Sequence, residues 1–205
     1  MPFNISNFRS EGLVFGGARP SLFDVDLSFP SLVEGPGSNR KLSFLARASQ
    51  IPAMSLGTVE VPYFGRRIKL AGDRVFSDWS ISVLNDEDFY LRSIFEKWSN
   101  SMNTIVGNVA ELGPGGSNLP ADLTGYKGTA TVRQYSKRGD TPGAEAAPIR
   151  AYKFVGIFPT TIDAISLDWD ATNQVETYGV TFAYDWWEPA GKSGNGSTAI
   201  DYLIE

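Results

Sequence analysis

The stretch VFSDWSISVLNDEDFYLRSIFEKWSNSMN, residues 75–103, contains the two clearest periodic patterns in the chain. In its first ten residues apolar and polar side chains alternate, which predicts a half-buried strand over residues 75–84. The apolar members are Val75, Trp79, Ile81 and Val83, and the polar members are Asp78, Ser80 and Ser82.

After residue 84 the apolar period changes from two to that of a helix. The apolar side chains now recur along one stripe, as in a helix packed on a core. They are Leu91, Ile94, Phe95, Trp98 and Met102. Asn85 is a suitable N-cap, and the acids at 86–88 would lie in the first turn, where the helix dipole favours negative charge. The pattern predicts a helix over residues 86–103.

Shorter runs of the same alternating kind predict further strands. They cover residues 21–27, 41–48, 58–63, 66–71, 126–136, 149–158 and 174–187. Turn-rich segments at 30–39, 107–125 and 137–148 separate them and predict loops. One helix among seven or eight strands predicts a mainly β fold, with the helix packed on antiparallel sheet.

Histidine and cysteine are absent from all 205 residues, and this excludes several kinds of site. The chain cannot build a Ser-His-Asp or Cys-His nucleophile system, nor a zinc site of the usual Cys/His kind. It has no disulfide, so it needs no oxidising compartment. The first twenty residues lack the apolar core of a signal peptide, and no apolar run is long enough for a membrane span, so we expect folding in a cytoplasm.

Negative charge is concentrated towards the C-terminal end. The net charge of the chain is −5, while residues 154–205 carry eight acids and one base, a net −7. A groove that holds nucleic acid is expected to be basic. Any contact with nucleic acid is therefore predicted to be loose.

Two pairs of neighbouring acids are the candidates for a metal or acid–base site. Asp168 and Asp170 lie two residues apart, but the ATNQ that follows is typical of a turn, so we expect turn hydrogen bonds there. Asp24 and Asp26 share one face of a predicted strand, which favours a solvated strand face. We therefore predict that the protein is not an enzyme and needs no cofactor or metal.

Three further features have ordinary explanations beside functional ones. The glycine-rich runs at 113–116 and 191–196 do not have a phosphate-binding spacing and are typical of loops. Arg66, Arg67 and Lys69 form the only tight basic cluster. That cluster is suited to a phosphate, but a salt bridge to another protein fits it at least as well.

Trp186 and Trp187 end the last long predicted strand. Adjacent residues of a strand point to opposite faces, so one ring can enter the core while the other faces solvent or a neighbour. Aromatic side chains are enriched in protein interfaces. Both a core role and an interface role remain open for this pair.

Several segments together resemble the major tail tube protein family of contractile-tailed bacteriophages. In order, they are ARPSLF (18–23), FLARASQIP (44–52), IKLAGDRVFSDW (68–79), the strand-to-helix junction at 82–98, ATVRQYS (130–136), and GIFPT, LDWD and YGVTFAYDWW within 156–187. The resemblance covers most of residues 18–188. Residues 1–17 are then expected to be an N-terminal arm and residues 189–205 a flexible C-terminal extension.

The resemblance implies a fold and a structural role. A subunit of this family has two packed antiparallel sheets with one flanking helix, and one sheet joins those of its neighbours into a barrel around a channel. Hexameric rings stack into a tube, the sheath contracts around it, and the genome passes through the lumen. The implied partners are the chain itself and the sheath, baseplate and tail terminator proteins.

DNA and the tape-measure protein are expected in the lumen only transiently, with no stable membrane contact. The implied location is the virion tail, after assembly in the host cytoplasm. Two alternatives stay open beside the tube subunit. One is a paralogue that initiates the tube at the baseplate, or a tube subunit of a phage-derived injection system. The other is a carboxylate-based hydrolase on a β sandwich.

Two sets of assembly residues are predicted. The segment from 50 to 72 is interrupted by Pro and Gly between strand-like pieces, and we expect it to contact the next ring through Arg66, Arg67, Lys69 and Asp73. The channel is expected to be electronegative, because a basic wall would hold DNA at many phosphates. Its candidate lining residues are Glu60, Asp78, Ser80 and Ser82.

Overall fold

The computed structural model describes residues 17–30, 33–108, 125–136 and 148–190, together with Ile5 and Glu11. Within these ranges the chain forms nine strands and two helices. The strands are β1 (Phe23–Ser28), β2 (Ala46–Ser49), β3 (Ser55–Tyr63), β4 (Arg66–Val75), β5 (Trp79–Leu84), β6 (Gly128–Tyr135), β7 (Pro148–Ile162), β8 (Thr177–Ala183) and β9 (Trp186–Ala190). The helices are α1 (Ser38–Leu45) and α2 (Tyr90–Met102).

Antiparallel pairing joins seven of these strands into two sheets that share β7. The first sheet contains β1, β6, the first part of β7, and β9. The second sheet contains the last part of β7, followed by β8, β5 and β2. Strands β3 and β4 pair with one another as a separate hairpin. Two packed antiparallel sheets confirm the predicted mainly β fold class.

A bend at Gly156 allows β7 to serve both sheets. The strand pairs with β9 up to Val155 and with β8 from Phe158 onward. Gly156 has a φ of 70°, in the left-handed region, and it is the extra residue at a register shift between β6 and β7. A Cβ at this position would overlap the carboxylate of Asp185, which also pairs with Lys127 at 2.8 Å.

Aromatic side chains fill the space between the sheets. Trp79 of β5 stacks on Phe154 of β7 with ring centroids 4.6 Å apart, and it lies 5.4 Å from Phe182 of β8. Phe95 of α2 contacts Phe182 edge to face at 5.9 Å. Burial of every second residue in β5 and of the α2 stripe confirms both periodic patterns. The buried residues are Trp79, Ile81 and Val83 in β5, and Leu91, Ile94, Phe95 and Trp98 in α2.

The start predicted for α2 is wrong by one turn, because the helix begins at Tyr90. Asp86 accepts a hydrogen bond from the next backbone N–H, and Asp88 accepts one from the N–H of Tyr90. Short acidic side chains form such local bonds in competition with a helix. Asn85 does not cap α2, since its side chain donates to Glu176 at 2.9 Å.

The strand predicted over residues 41–48 is also wrong in its first part, where the chain forms α1. Ser38, Leu42 and Leu45 are spaced i, i+4 and i+7, and this helical face packs towards the core. Gly37, with a φ of 74°, turns the chain into the helix. A second helix therefore flanks the sandwich, and β2 retains only four residues.

The other predicted strand boundaries differ from those in the structure by fewer residues. The strand predicted over 174–187 is two strands, β8 and β9, and the strand predicted over 75–84 begins at Trp79 because Val75 ends β4. The arm over 1–17 and the loops near 104–122 and 137–148 lie largely outside the described residues. So does the extension over 189–205, apart from the two residues that end β9.

Replacing Gly156 with Ala is expected to destabilise the protein by about 1–3 kcal/mol, because a left-handed backbone and a blocked Cβ position coincide there. Chemical denaturation measures the loss. Gly17→Ala is the matched control, since nothing lies within 4 Å of its Cβ position. Equal stability of the two variants would show that the bend does not require glycine.

Candidate functional site

The hairpin formed by β3 and β4 leaves the sandwich and has solvent on both faces. Every residue of the two strands is exposed except Gly72, which is half-buried. A two-residue turn joins them, with Phe64 and Gly65 at φ values of 43° and 78°. Positive φ at both turn residues matches the twist of a tight hairpin. Nine residues of strand extend it by roughly 30 Å.

One face of the hairpin is apolar. The pairs Val59–Leu70 and Val61–Ile68 lie across from one another on it. These four side chains are 42–53% exposed, and Phe64 at the tip is 91% exposed. An apolar surface of this extent on a projecting hairpin is typical of a binding surface.

The opposite face of the hairpin is polar and basic. Glu60 lies across from Lys69, and Arg67 donates to Glu60 at 2.9 Å. Of the predicted stacking residues, Arg67 and Lys69 share this face, while Arg66 lies across from Tyr63 on the apolar face. Asp73 lies in the irregular part of the ladder, near the base. The structure thus brings the four together on one exposed strand, but on two faces.

Two tryptophans hold the base of the hairpin. Trp187 donates its Nε1–H to the carbonyl of Ala53 at 3.3 Å and contacts Phe76 edge to face at 6.5 Å. Trp79 donates to the carbonyl of Gln50 at 3.0 Å. Both segments that connect the hairpin to the second sheet are therefore tied to the core. Sequence reasoning missed this role, because it depends on contacts distant along the chain.

The two terminal tryptophans do point to opposite faces, as predicted from their adjacency. Trp187 is partly buried and packs against the core, whereas Trp186 is 47% exposed. The interface role of the pair stays a prediction.

The outer face of the second sheet is lined by small side chains. Ser80 and Ser82 of β5 alternate with buried neighbours and share this face with Thr181 of β8. They border a shallow groove of about 360 Å³. Among the described residues its lining contains one acid and no basic residue: Ala48, Ser49, Gln50, Ser80, Ile81, Ser82, Asp163, Gly179 and Thr181.

Glu60 does not lie beside these serines, contrary to expectation. The strands that pair with β5 are β2 and β8, and Glu60 belongs to the separate hairpin. The prediction treated the strand over 58–63 as a neighbour of the strand over 75–84, and these two strands do not pair. Asp78 is exposed and directly precedes β5. The lumen role of these residues stays a prediction.

The second sheet has two open edges in the part of the chain that the structure describes. Strand β2 pairs with β5 on one side only. Residues 158–162 of β7 pair with β8 on one side, beyond the point where β6 ends. Pro159 suits such an edge, because proline has no N–H to contribute to a ladder.

The loop between β7 and β8, residues 163–176, lies at the end of the second sheet opposite to the hairpin. The hairpin joins β5 at Trp79, whereas this end loop joins β8 at Thr177, which pairs with Leu84. Trp169 is fully exposed in the loop, and Leu167 is 81% exposed. We refer to residues 163–176 as the end loop.

The end loop is anchored at its first residue, Asp163. The backbone N–H of Asp163 donates to the carbonyl of Gly179, and Arg92 of α2 donates to the carbonyl of Asp163 at 3.0 Å. Arg92 also lies over the ring of Tyr178, 5.2 Å from its centroid. Burial raises the pKa of Tyr178 to about 12, so the ring stays neutral beneath the guanidinium.

The acids of the end loop form a turn, as predicted. Asp168 accepts a hydrogen bond from the N–H of Asp170 at 3.0 Å.

Asp24 and Asp26 have a different arrangement from the solvated face expected for them. Each accepts a hydrogen bond from Arg133 of β6 at 2.8 Å, and the three side chains link β1 to β6. The missed signal was the strand pairing that puts Arg133 directly opposite Asp24.

Neither a metal cluster nor a membrane helix is present in the described ranges. No three acidic side chains there come close enough together to hold a metal ion. No helix there is long and apolar enough to cross a bilayer.

Replacing Trp187 with Leu is expected to lower the free energy of unfolding by about 1–3 kcal/mol, because a packed ring and one hydrogen bond are lost. Hydrogen exchange of the hairpin amides should also accelerate. Trp186→Leu is the control and should change stability by less than about 0.5 kcal/mol, since that ring is more exposed. Unchanged hairpin exchange in the Trp187 variant would mean that this ring does not hold the base.

Sequence comparison identifies close relatives among phage tail proteins. The phage tail tube protein family matches residues 18–189. Tail tube protein gp19 of Enterobacteria phage T4 is 34% identical over 171 residues, which are 83% of this chain and 91% of that protein. The tail tube protein of Serratia phage KSP90 is 29% identical over 111 residues, 54% of this chain and 63% of that protein.

Solved structures of contractile injection systems share the fold. A chain from the baseplate of the anti-feeding prophage superposes with a TM-score of 0.56 at 10% identity, covering 85% of this chain and 96% of that chain. A chain from the sheath/tube terminator of the extracellular contractile injection system PVC has a TM-score of 0.53 at 16% identity, covering 87% and 99%. Together with the match over residues 18–189 and the relative at 34% identity, this shows that the chain belongs to the phage tail tube protein family.

Proposed function

We propose that this chain is the subunit of a phage tail tube, in which six copies form a ring and stacked rings conduct the genome after sheath contraction. The two open edges of the second sheet carry the proposal. Their unpaired N–H and C=O groups favour pairing with another chain. A head-to-tail contact between edge β2 and edge 158–162 repeats from copy to copy and closes where the rotation permits.

A barrel closed in this way has one face of the second sheet towards its channel. We assign the outer face, with Ser80, Ser82 and Thr181, to that wall. Because α2 and the first sheet cover the opposite face, only the outer face is free to line a channel. The described lining of the groove has small hydroxyl side chains and Asp163 but no basic residue, and Asp78 lies nearby, so this wall would not hold DNA at its phosphates.

In the proposed tube, the hairpin is the element that reaches the next ring. Its separation from the sandwich, its anchored base and its apolar face support a role in stacking. Arg66, Arg67, Lys69 and Asp73 are the charged groups that would set the register between rings. Charged pairs at interfaces contribute more to register than to affinity.

The remaining parts of the function follow from membership of the family. We propose the sheath, baseplate and tail terminator proteins as partners, with DNA and the tape-measure protein in the lumen only during assembly and ejection. The protein would be assembled in the host cytoplasm and would act in the virion tail without enzymatic activity. Residues 1–17 and 189–205 would extend from the 18–188 domain.

The length of the ring stack distinguishes a tube initiator from the main tube subunit, because an initiator starts the tube at the baseplate whereas a main subunit propagates it. The match to the phage tail tube family favours a phage tube subunit over an injection-system subunit. The 34% identity to a tail tube protein over most of the chain supports the main subunit.

The purified chain is expected to form rings and tubes in negative-stain electron microscopy. Thr161→Lys should abolish them, because a lysine on an open edge strand disfavours edge-to-edge pairing. Ser28→Lys is the matched control on the first sheet, because Ser28 is exposed on β1, the terminal strand of that sheet, and lies across from Thr129. That variant should assemble as the unmodified chain does.

Two results would count against the proposal. The first is a purely monomeric unmodified chain at all protein and salt concentrations. The second is normal tube formation by a folded Thr161→Lys protein, which would exclude this edge from the ring contact.

A further inference from the structure

The end loop carries an unpartnered apolar surface that the ring contact does not use. Leu167, Trp169 and Val175 are 67–101% exposed, and Trp169 has no ring partner among the described residues. The loop is nevertheless held at both ends, by Arg92 at Asp163 and by Asn85 at Glu176. Anchoring an exposed tryptophan in this way prepares it for contact at a low entropic cost.

The hairpin and the end loop lie at opposite ends of the second sheet. Strand β5 runs from the hairpin at Trp79 to Leu84 beside the end loop, a distance of roughly 17 Å. When copies are stacked head to tail along this direction, the hairpin of one copy approaches the end loop of the next. A contact between two different surfaces of identical chains repeats without limit, as a tube requires.

The two surfaces are complementary in charge as well as in hydrophobicity. Residues 163–176 contain four acids and no base. Residues 58–71 of the hairpin contain three bases and one acid, and that acid, Glu60, is already paired with Arg67. Opposite charges around an apolar centre favour one partner and one register.

We propose that the end loop is the docking site for the hairpin of a second copy in the adjacent ring. The apolar face, with Val61, Ile68 and the tip residue Phe64, packs on Trp169 and Leu167. Arg66, which shares the apolar face, then lies near Asp168 and Asp170, while Lys69 on the opposite face adds only to the positive charge of the hairpin. This contact rests on the proposed tube function and specifies which surface receives the hairpin.

Cysteine crosslinking tests the contact directly, because the chain contains no cysteine of its own. The double variant Ile68→Cys with Ala171→Cys is assembled and treated with a short bismaleimide. Covalent multimers of two, three and more subunits are expected on a denaturing gel. Ile68→Cys with Thr131→Cys is the control, since Thr131 lies on the first sheet, and it should give no ladder.

A substitution series provides the second test. Trp169→Ser is expected to leave single rings but to abolish tubes, and Trp169→Phe should restore them. Phe44→Ser removes another exposed aromatic side chain, 74% exposed on α1, and should not affect stacking.

The outcomes separate this contact from the proposed function. If the unmodified chain forms neither rings nor tubes, both fail. If tubes form but the 68/171 pair gives no ladder, or if Trp169→Ser tubes are as long as those of the unmodified chain, the docking site is wrong while the tube function stands. An exposed Trp169 that instead binds the sheath protein would produce that second pattern.

Discussion

Backbone hydrogen bonding at the two open edges of the second sheet is the constraint on which the proposed assembly depends. A strand edge without a partner exposes N–H and C=O groups that favour pairing with another strand. Here both edges belong to one sheet, and the bend at Gly156 creates the second of them. Because β7 leaves β9 before that glycine and β6 directly after it, at Ile157, its last five residues gain β8 on one side and no partner on the other in the described structure. A strand shared by two sheets therefore produces a subunit that is a sandwich in isolation and suited to a closed barrel in an assembly.

In the proposed tube, the hairpin reaches out of the plane of the ring. No hairpin residue belongs to the core cluster formed by the described residues, so the stability of the subunit does not explain its apolar face. Trp79 and Trp187 hold the segments at its base, and these contacts limit the orientations that the hairpin samples. A preorganised hairpin loses less conformational entropy on binding than a flexible loop of the same length. In the proposed tube, ring closure and stacking thus use different elements that meet at the Trp79 end of the second sheet.

Periodicity predicted the elements whose burial follows a regular pattern. Strand β5 and helix α2 are examples, because one face of each packs on the core and repeats at the expected spacing. Helix α1 was missed because residues 41–48 are compatible with both periods, and only the core position of Leu42 favours the helix. The start of α2 was missed because local bonds from Asp86 and Asp88 replace the first turn. The basic cluster of Arg66, Arg67 and Lys69 is exposed on the hairpin, and its contact with a neighbouring ring stays a prediction. Glu60 was misplaced because strand pairing is a long-range property. The end loop was recognised as a turn, but its anchoring by Arg92 and its place opposite to the hairpin required the topology.

A helical cryo-electron microscopy reconstruction of assembled tubes would show which strands join neighbouring subunits. We expect a closed barrel built from β7, β8, β5 and β2 of six copies, with β2 of each subunit beside residues 158–162 of its neighbour. Ser80, Ser82 and Thr181 would face the channel. A channel lined by the first sheet, or a ring joined through α2 with both edges of the second sheet still unpaired, would contradict it.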